Sequence, residues 1–124
     1  MTRPLRALVV DDQPAGAELL SFVLENEGFE VAWAADADAA RRSIAAAPPD
    51  VVVMDIQLPG EDGLALTRAL KADAATRAIP VVACTAYAMK GDEAAMRAAG
   101  CDGYLPKPID VGRFAQHVRA LIGR

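Results

Sequence analysis

The sequence has no long apolar run. None of its hydrophobic stretches approaches the roughly 20 residues that a membrane-spanning helix requires. Residues 1–6 are too short and too interrupted by charge and proline to form a signal peptide. We therefore expect a soluble, cytoplasmic protein that does not associate with a membrane.

Cysteine is also scarce, and acidic residues outnumber basic ones. The two cysteines, Cys84 and Cys101, have neither metal-ligand spacing nor the pattern of a disulfide framework, so buried free thiols are expected. The formal net charge is −4, which argues against nucleic acid as a direct partner. No glycine-rich phosphate loop of the nucleotide-binding type is present.

The most informative stretch is an apolar run that ends in one acid. Residues 51–54 are Val-Val-Val-Met, Asp55 follows, and prolines flank the run at positions 48, 49 and 59. Such a run predicts a strand buried on both faces, with Asp55 held at the edge of the core. Taken alone, Asp55 is more simply interpreted as a helix cap or turn residue.

Short apolar runs and amphipathic segments alternate along all 124 residues, a length typical of one domain, here residues 1–124. The predicted strands cover residues 7–10, 30–35, 51–55, 79–84 and 103–105. The predicted helices cover residues 15–27, from the cap Asp36 to Ala47, 64–71, 90–99 and 110–121. This order predicts an α/β fold with a parallel sheet and helices on both faces, a doubly wound (βα)5 architecture.

Polar side chains stand where four of these strands end. Asp11 and Asp12 follow the first strand, Asp55 ends the third, Thr85 follows the fourth and Lys107 follows the fifth. In open parallel sheets, ligands bind outside the carboxyl ends of the strands. We therefore expect these side chains to form one site.

The predicted cluster combines acids, an ammonium group and a hydroxyl. Crowded carboxylates repel one another, which favours either proton uptake with a raised pKa or a bound cation. Oxygen ligands without thiols or imidazoles favour Mg²⁺. With Lys107 and Thr85 available for phosphate oxygens, the set suits Asp55 acting as a nucleophile toward phosphorus to give an aspartyl phosphate. The phosphoryl group would come from something other than tightly held ATP.

Four motifs resemble the receiver domain of two-component response regulators, in particular the single-domain, chemotaxis-regulator-like members. They are Val-Val-Asp-Asp at 9–12, Met-Asp-Ile-Gln-Leu-Pro-Gly-Glu-Asp-Gly at 54–63, Thr-Ala at 85–86 and Gly-Tyr-Leu-Pro-Lys-Pro at 103–108. The resemblance covers essentially the whole chain. It implies a flavodoxin-like fold with five strands in the order 2-1-3-4-5, and a protein that catalyses only its own phosphorylation and dephosphorylation.

The resemblance also implies roles for the acids. Asp55 would accept the phosphoryl group from a histidine kinase or a histidine phosphotransfer protein. Asp12, Asp55 and the backbone carbonyl of Gln57 would hold Mg²⁺, and Asp11 would support the metal through water.

The remaining implied roles concern the response to phosphorylation. Thr85 and Lys107 would contact the phosphoryl oxygens, and Tyr104 would be the aromatic switch residue that moves with Thr85. The bond between Lys107 and Pro108 would be cis. The face formed by the fourth helix, the fifth strand and the fifth helix would bind a downstream protein or a second copy of the chain.

Two other functions remain open on the residues alone. An aspartate-nucleophile phosphatase usually needs a second acid two residues beyond the nucleophile, where this chain has Gln57. A receiver-like adaptor that is never phosphorylated would not need the complete set of acids, threonine and lysine.

Since the last predicted helix ends near Leu121, no effector domain is expected, and the signal would leave through a protein surface.

Two side chains have open interpretations. Trp33, in the second predicted strand, fits core or edge packing, with contact to a partner as the alternative. His117 lies between polar neighbours in the last helix, so a solvated face is expected rather than a ligand role.

Overall fold

The predicted alternation of strands and helices is confirmed. The computed structural model describes residues 4–58, 60, 62–85, 90–107 and 109–121. The strands are β1 Arg6–Val10, β2 Glu30–Ala34, β3 Val51–Asp55, β4 Val81–Thr85 and β5 Gly103–Pro106. The helices are α1 Pro14–Asn26, α2 Ala37–Ala46, α3 Gly63–Ala72, α4 Lys90–Ala99 and α5 Val111–Leu121.

The strands form one parallel sheet in the order β2-β1-β3-β4-β5, as the resemblance implied. β3 is central, and all five of its residues are buried. The chain passes from β1 outward to β2 and then back to β3 on the other side of β1. The gap beyond the ends of β1 and β3 is therefore the point at which ligands bind in sheets of this kind.

Alternation of side chains along the strands produces a core on each side of the sheet. Val53 packs in one hydrophobic cluster with Leu20 of α1 and Phe114 of α5. Met54, the next residue, packs in the other cluster with Ile44 of α2 and Leu66 of α3. Burial on both faces explains why β3 is an uninterrupted apolar run.

The helix ends follow the predicted signals. Pro14 begins α1, where its missing N–H has no intrahelical partner to lose. Gly28 follows α1 with a φ of 93°, a left-handed conformation that glycine adopts without a Cβ penalty. Asp36 caps α2, because its Oδ1 accepts a hydrogen bond of 2.8 Å from the Ala39 N–H.

Strand β4 begins two residues later than the sequence indicated. The N–H of Ile79 donates to the carbonyl of Thr76 at 3.0 Å, which places Ile79 in a turn. Its carbonyl accepts a hydrogen bond of 2.8 Å from the Lys71 ammonium instead of joining the sheet. The ladder with β3 therefore starts at Val81.

His117 also departs from its predicted solvated setting. Its side chain is half-buried, and its imidazole lies over β5 so closely that a Cβ on Gly103 would be 2.1 Å from Nε2. Both cysteines are free thiols as expected, Cys84 buried and Cys101 partly buried.

Several expectations fall on Ala86, Pro108 and Ile122, which lie outside the described residues. The predicted cis bond after Lys107 is among them. Within the described ranges, none of the helices combines the length and the apolar character that crossing a bilayer requires.

Candidate functional site

The three acids expected at the strand ends lie together. Asp11 and Asp12 directly follow β1, Asp55 ends β3, and each contributes a carboxylate oxygen to a group whose members lie within 4.8 Å of one another. The pairing of Val10 with Met54 brings Asp11 beside Asp55. Asp11 and Asp55 are buried, while Asp12 is partly exposed.

Lys107 is the cation of this cluster. Its Nζ lies 3.1 Å from Oδ2 of Asp55 and 4.0 Å from Oδ2 of Asp11. Burial by itself would lower the pKa of the Lys107 ammonium, but the hydrogen bond to Asp55 and the charges of Asp55 and Asp11 outweigh burial and raise that pKa. Lys107 is therefore a firmly protonated counter-charge to the acids.

Main-chain contacts fix the carboxylate of Asp55. Its Oδ1 accepts a hydrogen bond of 2.9 Å from the N–H of Gln57, whose side chain is exposed. The start of α3 lies against the end of β3, since a Cβ on Gly63 would be 2.6 Å from the Asp55 carbonyl oxygen. A glycine at that position is what permits the close approach.

Asp11 is held at its side chain as well. Its Oδ1 accepts a hydrogen bond of 2.8 Å from the N–H of Gln13. Burial raises the pKa of the Asp11 carboxyl, and the Gln13 N–H and the charge of Lys107 act in the opposite direction. A Cβ on Gly16 would be 2.8 Å from Oδ2 of Asp11, so the first turn of α1 fits closely over this acid.

Trp33 contacts the site from the edge strand. Its indole Nε1 donates a hydrogen bond of 2.7 Å to the backbone carbonyl of Asp11, while half of the residue, 50%, remains exposed. The structure thus places Trp33 on the edge strand of the sheet, and contact with a partner stays a prediction. Sequence reasoning missed the hydrogen bond, since nothing local to residue 33 indicates a contact with residue 11.

Thr85 and Lys107 are joined through the backbone beside Asp55. Thr85 ends β4, is buried, and directly follows Cys84, which is paired with Asp55 in the sheet. The N–H of Lys107 donates to the Thr85 carbonyl at 2.7 Å. The ends of β3, β4 and β5 therefore bring together the predicted acid, hydroxyl and ammonium residues.

Tyr104 lies on β5 beside α4. Its hydroxyl donates a hydrogen bond to the carboxylate of Glu93, and this bond raises the pKa of the Tyr104 phenol. The same carboxylate accepts a hydrogen bond of 2.8 Å from Arg97. No local pattern indicates Glu93, because the orientation of α4 must be known before any of its residues can be matched to Tyr104.

The donor set fits a divalent cation. Carboxylate oxygens at this spacing are ligands that Mg²⁺ accepts, and a metal would reduce the repulsion between the acids. A groove of about 450 Å³, lined by Gln57 and Thr85 among others, lies next to the end of β3. The arrangement combines oxygen ligands with a positive charge for phosphate oxygens.

Comparison with known proteins gives the same family throughout. The family of the response regulator receiver domain matches residues 7–119. The polar-differentiation response regulator DivK of Brucella anthropi is 38% identical over 120 residues, covering 97% of this chain and 98% of DivK. These values place nearly all of both chains in one alignment.

Solved structures agree with this assignment. A putative response regulator from Chloroflexus aurantiacus J-10-fl superposes with a TM-score of 0.93 at 32% identity, covering 98% of this chain and 100% of that one. The receiver domain of a sensor histidine kinase from Pseudomonas aeruginosa PAO1 gives a TM-score of 0.88 at 31% identity, covering 98% and 100% of the two chains. That structure has a magnesium ion coordinated in its active site cleft.

A receiver domain is a phosphoacceptor signalling module and not a conventional enzyme, and it implies a histidine kinase as a partner. The fold, the acidic pocket and the relatives lead to one conclusion: this chain belongs to the response regulator receiver domain family of two-component signalling.

Proposed function

We propose that Asp55 is the phosphoacceptor of this receiver domain, which spans residues 1–124. The observation that carries the proposal is the placement of its carboxylate, buried at the end of β3 with Lys107 Nζ at 3.1 Å and two further acids close by. The phosphoryl group comes from a phosphohistidine of a histidine kinase or of a phosphotransfer protein.

The reaction transfers the phosphoryl group from one nucleophile, the imidazole of the donor, to another, the carboxylate of Asp55. A bond forms between a carboxylate oxygen of Asp55 and phosphorus, and the bond between phosphorus and the imidazole nitrogen of the donor breaks. The electron pair of that bond returns to the imidazole. No oxidant or nucleotide is needed, in keeping with a chain that has no glycine-rich phosphate loop.

The acids are proposed to hold Mg²⁺. Asp12 and Asp55 would be direct ligands together with the backbone carbonyl of Gln57, and Asp11 would act through water. Mg²⁺ supplies charge stabilisation for the phosphoryl oxygens when it is bound. The clustered carboxylates and the magnesium in the cleft of the Pseudomonas receiver domain support this assignment.

Thr85 and Lys107 would recognise the phosphoryl group once it is on Asp55. A phosphoryl group adds negative charge and strong acceptor oxygens, for which an ammonium and a hydroxyl are suitable donors. Lys107 would exchange its bond with the Asp55 carboxylate for bonds with the phosphoryl oxygens. Because its N–H is bonded to the Thr85 carbonyl, movement at either residue would displace the end of β5.

The output surface is proposed to be the face of α4, β5 and α5. Tyr104 is partly exposed there, and Val111 at the start of α5 is 45% exposed. Phosphorylation would change the contacts of Tyr104 and so change the affinity of this face for a cytoplasmic protein or for a second copy of the chain. A net charge of −4 does not favour direct binding to nucleic acid.

The test is phosphorylation by acetyl phosphate with Mg²⁺, followed by intact-mass analysis. Wild-type protein should gain one phosphoryl group, and Asp55→Asn should gain none. Asp38→Asn is a matched control, because it makes the same chemical change on the exposed side of α2. An adduct on Asp55→Asn equal to that on wild type would refute the assignment, and turnover of a generic phosphate ester would favour a phosphatase instead.

A further inference from the structure

Trp33 joins β2 to Asp11 and Asp12, the acidic turn that follows β1. We propose that Trp33 is a positioning residue for the divalent-cation site: its indole N–H fixes the peptide between Asp11 and Asp12 and thereby orients the Asp12 carboxylate. This inference rests on the proposed function, since it names a residue that determines how well the proposed metal site forms.

The backbone of Asp11 is held on both sides by β2. Its N–H donates to the Ala34 carbonyl at 3.0 Å, and its carbonyl accepts from the Trp33 indole at 2.7 Å. The second bond falls beyond the last pair in the ladder between β1 and β2, which joins Val10 to Ala34. The Trp33 side chain therefore adds one hydrogen bond beyond the end of the ladder, at the peptide that enters the acidic turn.

That peptide leads directly into Asp12. The Asp11 carbonyl and the Asp12 N–H lie in one rigid plane, because rotation about the peptide bond is strongly hindered. A hydrogen bond that fixes the carbonyl also fixes the plane from which the Asp12 Cα and side chain project. Loss of the bond would let this plane rotate at the point where a metal ligand must be placed accurately.

Asp12 depends on its backbone more than the other two acids do. The Asp11 carboxylate is held by the Gln13 N–H, and the Asp55 carboxylate is held by both the Gln57 N–H and Lys107. Within the part of the chain that the structure describes, no hydrogen-bond donor contacts the Asp12 carboxylate. Its orientation before a cation binds is therefore set through the main chain.

The exposure of Trp33 fits this role better than a packing role. An indole with half of its surface exposed contributes less burial than a core aromatic would. The N–H, in contrast, makes a short bond to a carbonyl in the acidic turn. Contacts one step removed from the ligands commonly change metal affinity by about 10–100-fold when they are lost, because they orient the ligands.

Since the chain has a single tryptophan, a tryptophan auxotroph can replace Trp33 alone. Benzothienylalanine puts sulfur in place of the indole N–H with nearly the same shape, and 5-fluorotryptophan keeps the N–H as a matched control. The probe is Mn²⁺ alone, with free ion measured by electron paramagnetic resonance. We expect the sulfur analogue to raise the Mn²⁺ dissociation constant roughly three- to tenfold over the control, with similar thermal unfolding.

The outcomes separate this inference from the function on which it rests. A control protein that binds no Mn²⁺ would refute the metal site, and the role of Trp33 with it. If the control binds Mn²⁺ and the dissociation constant of the sulfur analogue lies within twofold of the control, the role of Trp33 alone is refuted. Trp33→Phe should weaken binding in the same direction as the sulfur analogue.

A measurement on wild-type protein holds even if these variants fail to fold. In ¹⁵N-labelled protein, the indole N–H should exchange slowly with solvent and should shift on Mg²⁺ addition with the same midpoint as the backbone amide of Asp12. An indole signal that does not move at saturating Mg²⁺, while the Asp12 amide does, would overturn the inference.

Discussion

The Lys107 ammonium lies 3.1 Å from Oδ2 of Asp55, although 52 residues separate the two in the chain. The pair places a positive charge against a buried carboxylate that lies close to two other acids. Such charge-assisted bonds are stronger than neutral ones, and their loss changes the electrostatics of the whole cluster. A phosphoryl group on Asp55 would compete for the same ammonium, so this contact is one that phosphorylation must rearrange.

Replacing Lys107 by alanine tests that rearrangement. We expect Lys107→Ala to fold and to retain some phosphorylation by acetyl phosphate, but to lose the coupling between Asp55 and β5. Amide NMR shifts around Tyr104 on phosphorylation should be much smaller than in wild type. Arg42→Ala, which removes an exposed cation on α2, is the control and should respond as wild type does. Equal shifts around Tyr104 in Lys107→Ala and wild type would contradict the coupling.

Removing a proposed metal ligand should slow phosphorylation more than it harms the fold. Asp12→Ala is expected to lower the Mg²⁺-dependent rate with acetyl phosphate by a factor of about ten or more, because charge stabilisation at phosphorus is lost. Its thermal stability should not fall, since one of three clustered like charges is removed. The check is a phosphorylation time course across Mg²⁺ concentrations, with Asp38→Ala as the exposed control. Labelling of Asp12→Ala at the wild-type rate would exclude a metal role.

The contact between Gly103 of β5 and His117 of α5 predicts that a larger residue at position 103 lowers stability. Gly103 is not among the glycines with positive φ, so Gly103→Ala should cause no backbone strain. The new Cβ would lie 2.1 Å from Nε2 of His117, however, and the imidazole must move. We expect a loss of about 1–3 kcal/mol in the free energy of unfolding, measured by urea denaturation.

Adding His117→Ala to Gly103→Ala should recover most of that loss. The two changes should therefore be strongly non-additive in a double-mutant cycle. Additive losses would show that the loss caused by Gly103→Ala does not arise from its contact with His117.

The bond between Tyr104 and Glu93 predicts a shifted titration. The Tyr104 phenol should ionise above its ordinary pKa of 10.0, because Glu93 accepts its proton and repels the phenolate. Glu93→Gln should lower that pKa, as followed by NMR of the tyrosine ring with pH. Glu18→Gln, on the exposed side of α1, should leave it unchanged. A Tyr104 pKa that is the same in Glu93→Gln and wild type would contradict the contact.

The same bond sets the sign of a pH effect on stability. A raised pKa in the folded state means that the protonated phenol is favoured by folding. The stabilisation is present below the unfolded-state pKa near 10.0 and is lost as pH rises through the higher folded-state pKa. Wild type should therefore lose more stability than Glu93→Gln across that range.

The sequence by itself determined the order of the elements and which strand-end residues lie close together. Short apolar runs and helical patterns are local, so they located all ten elements, although β4 was predicted to begin at Ile79 instead of Val81. The carboxyl ends of parallel strands lie at one edge of the sheet, so Asp55, Thr85 and Lys107 could be assigned to one place. That reasoning needed only the alternation of strands and helices.

Only the tertiary structure decided which side chains meet across elements. The hydrogen bond from Trp33 to the Asp11 carbonyl spans 22 residues and requires β2 to lie beside β1 at the sheet edge. The contact of His117 with Gly103 depends on how α5 is rotated over β5. Local patterns fix which face of a helix or strand is apolar, but register and rotation are set by packing of the whole core. Contacts that join separate elements therefore become visible only after the chain has folded.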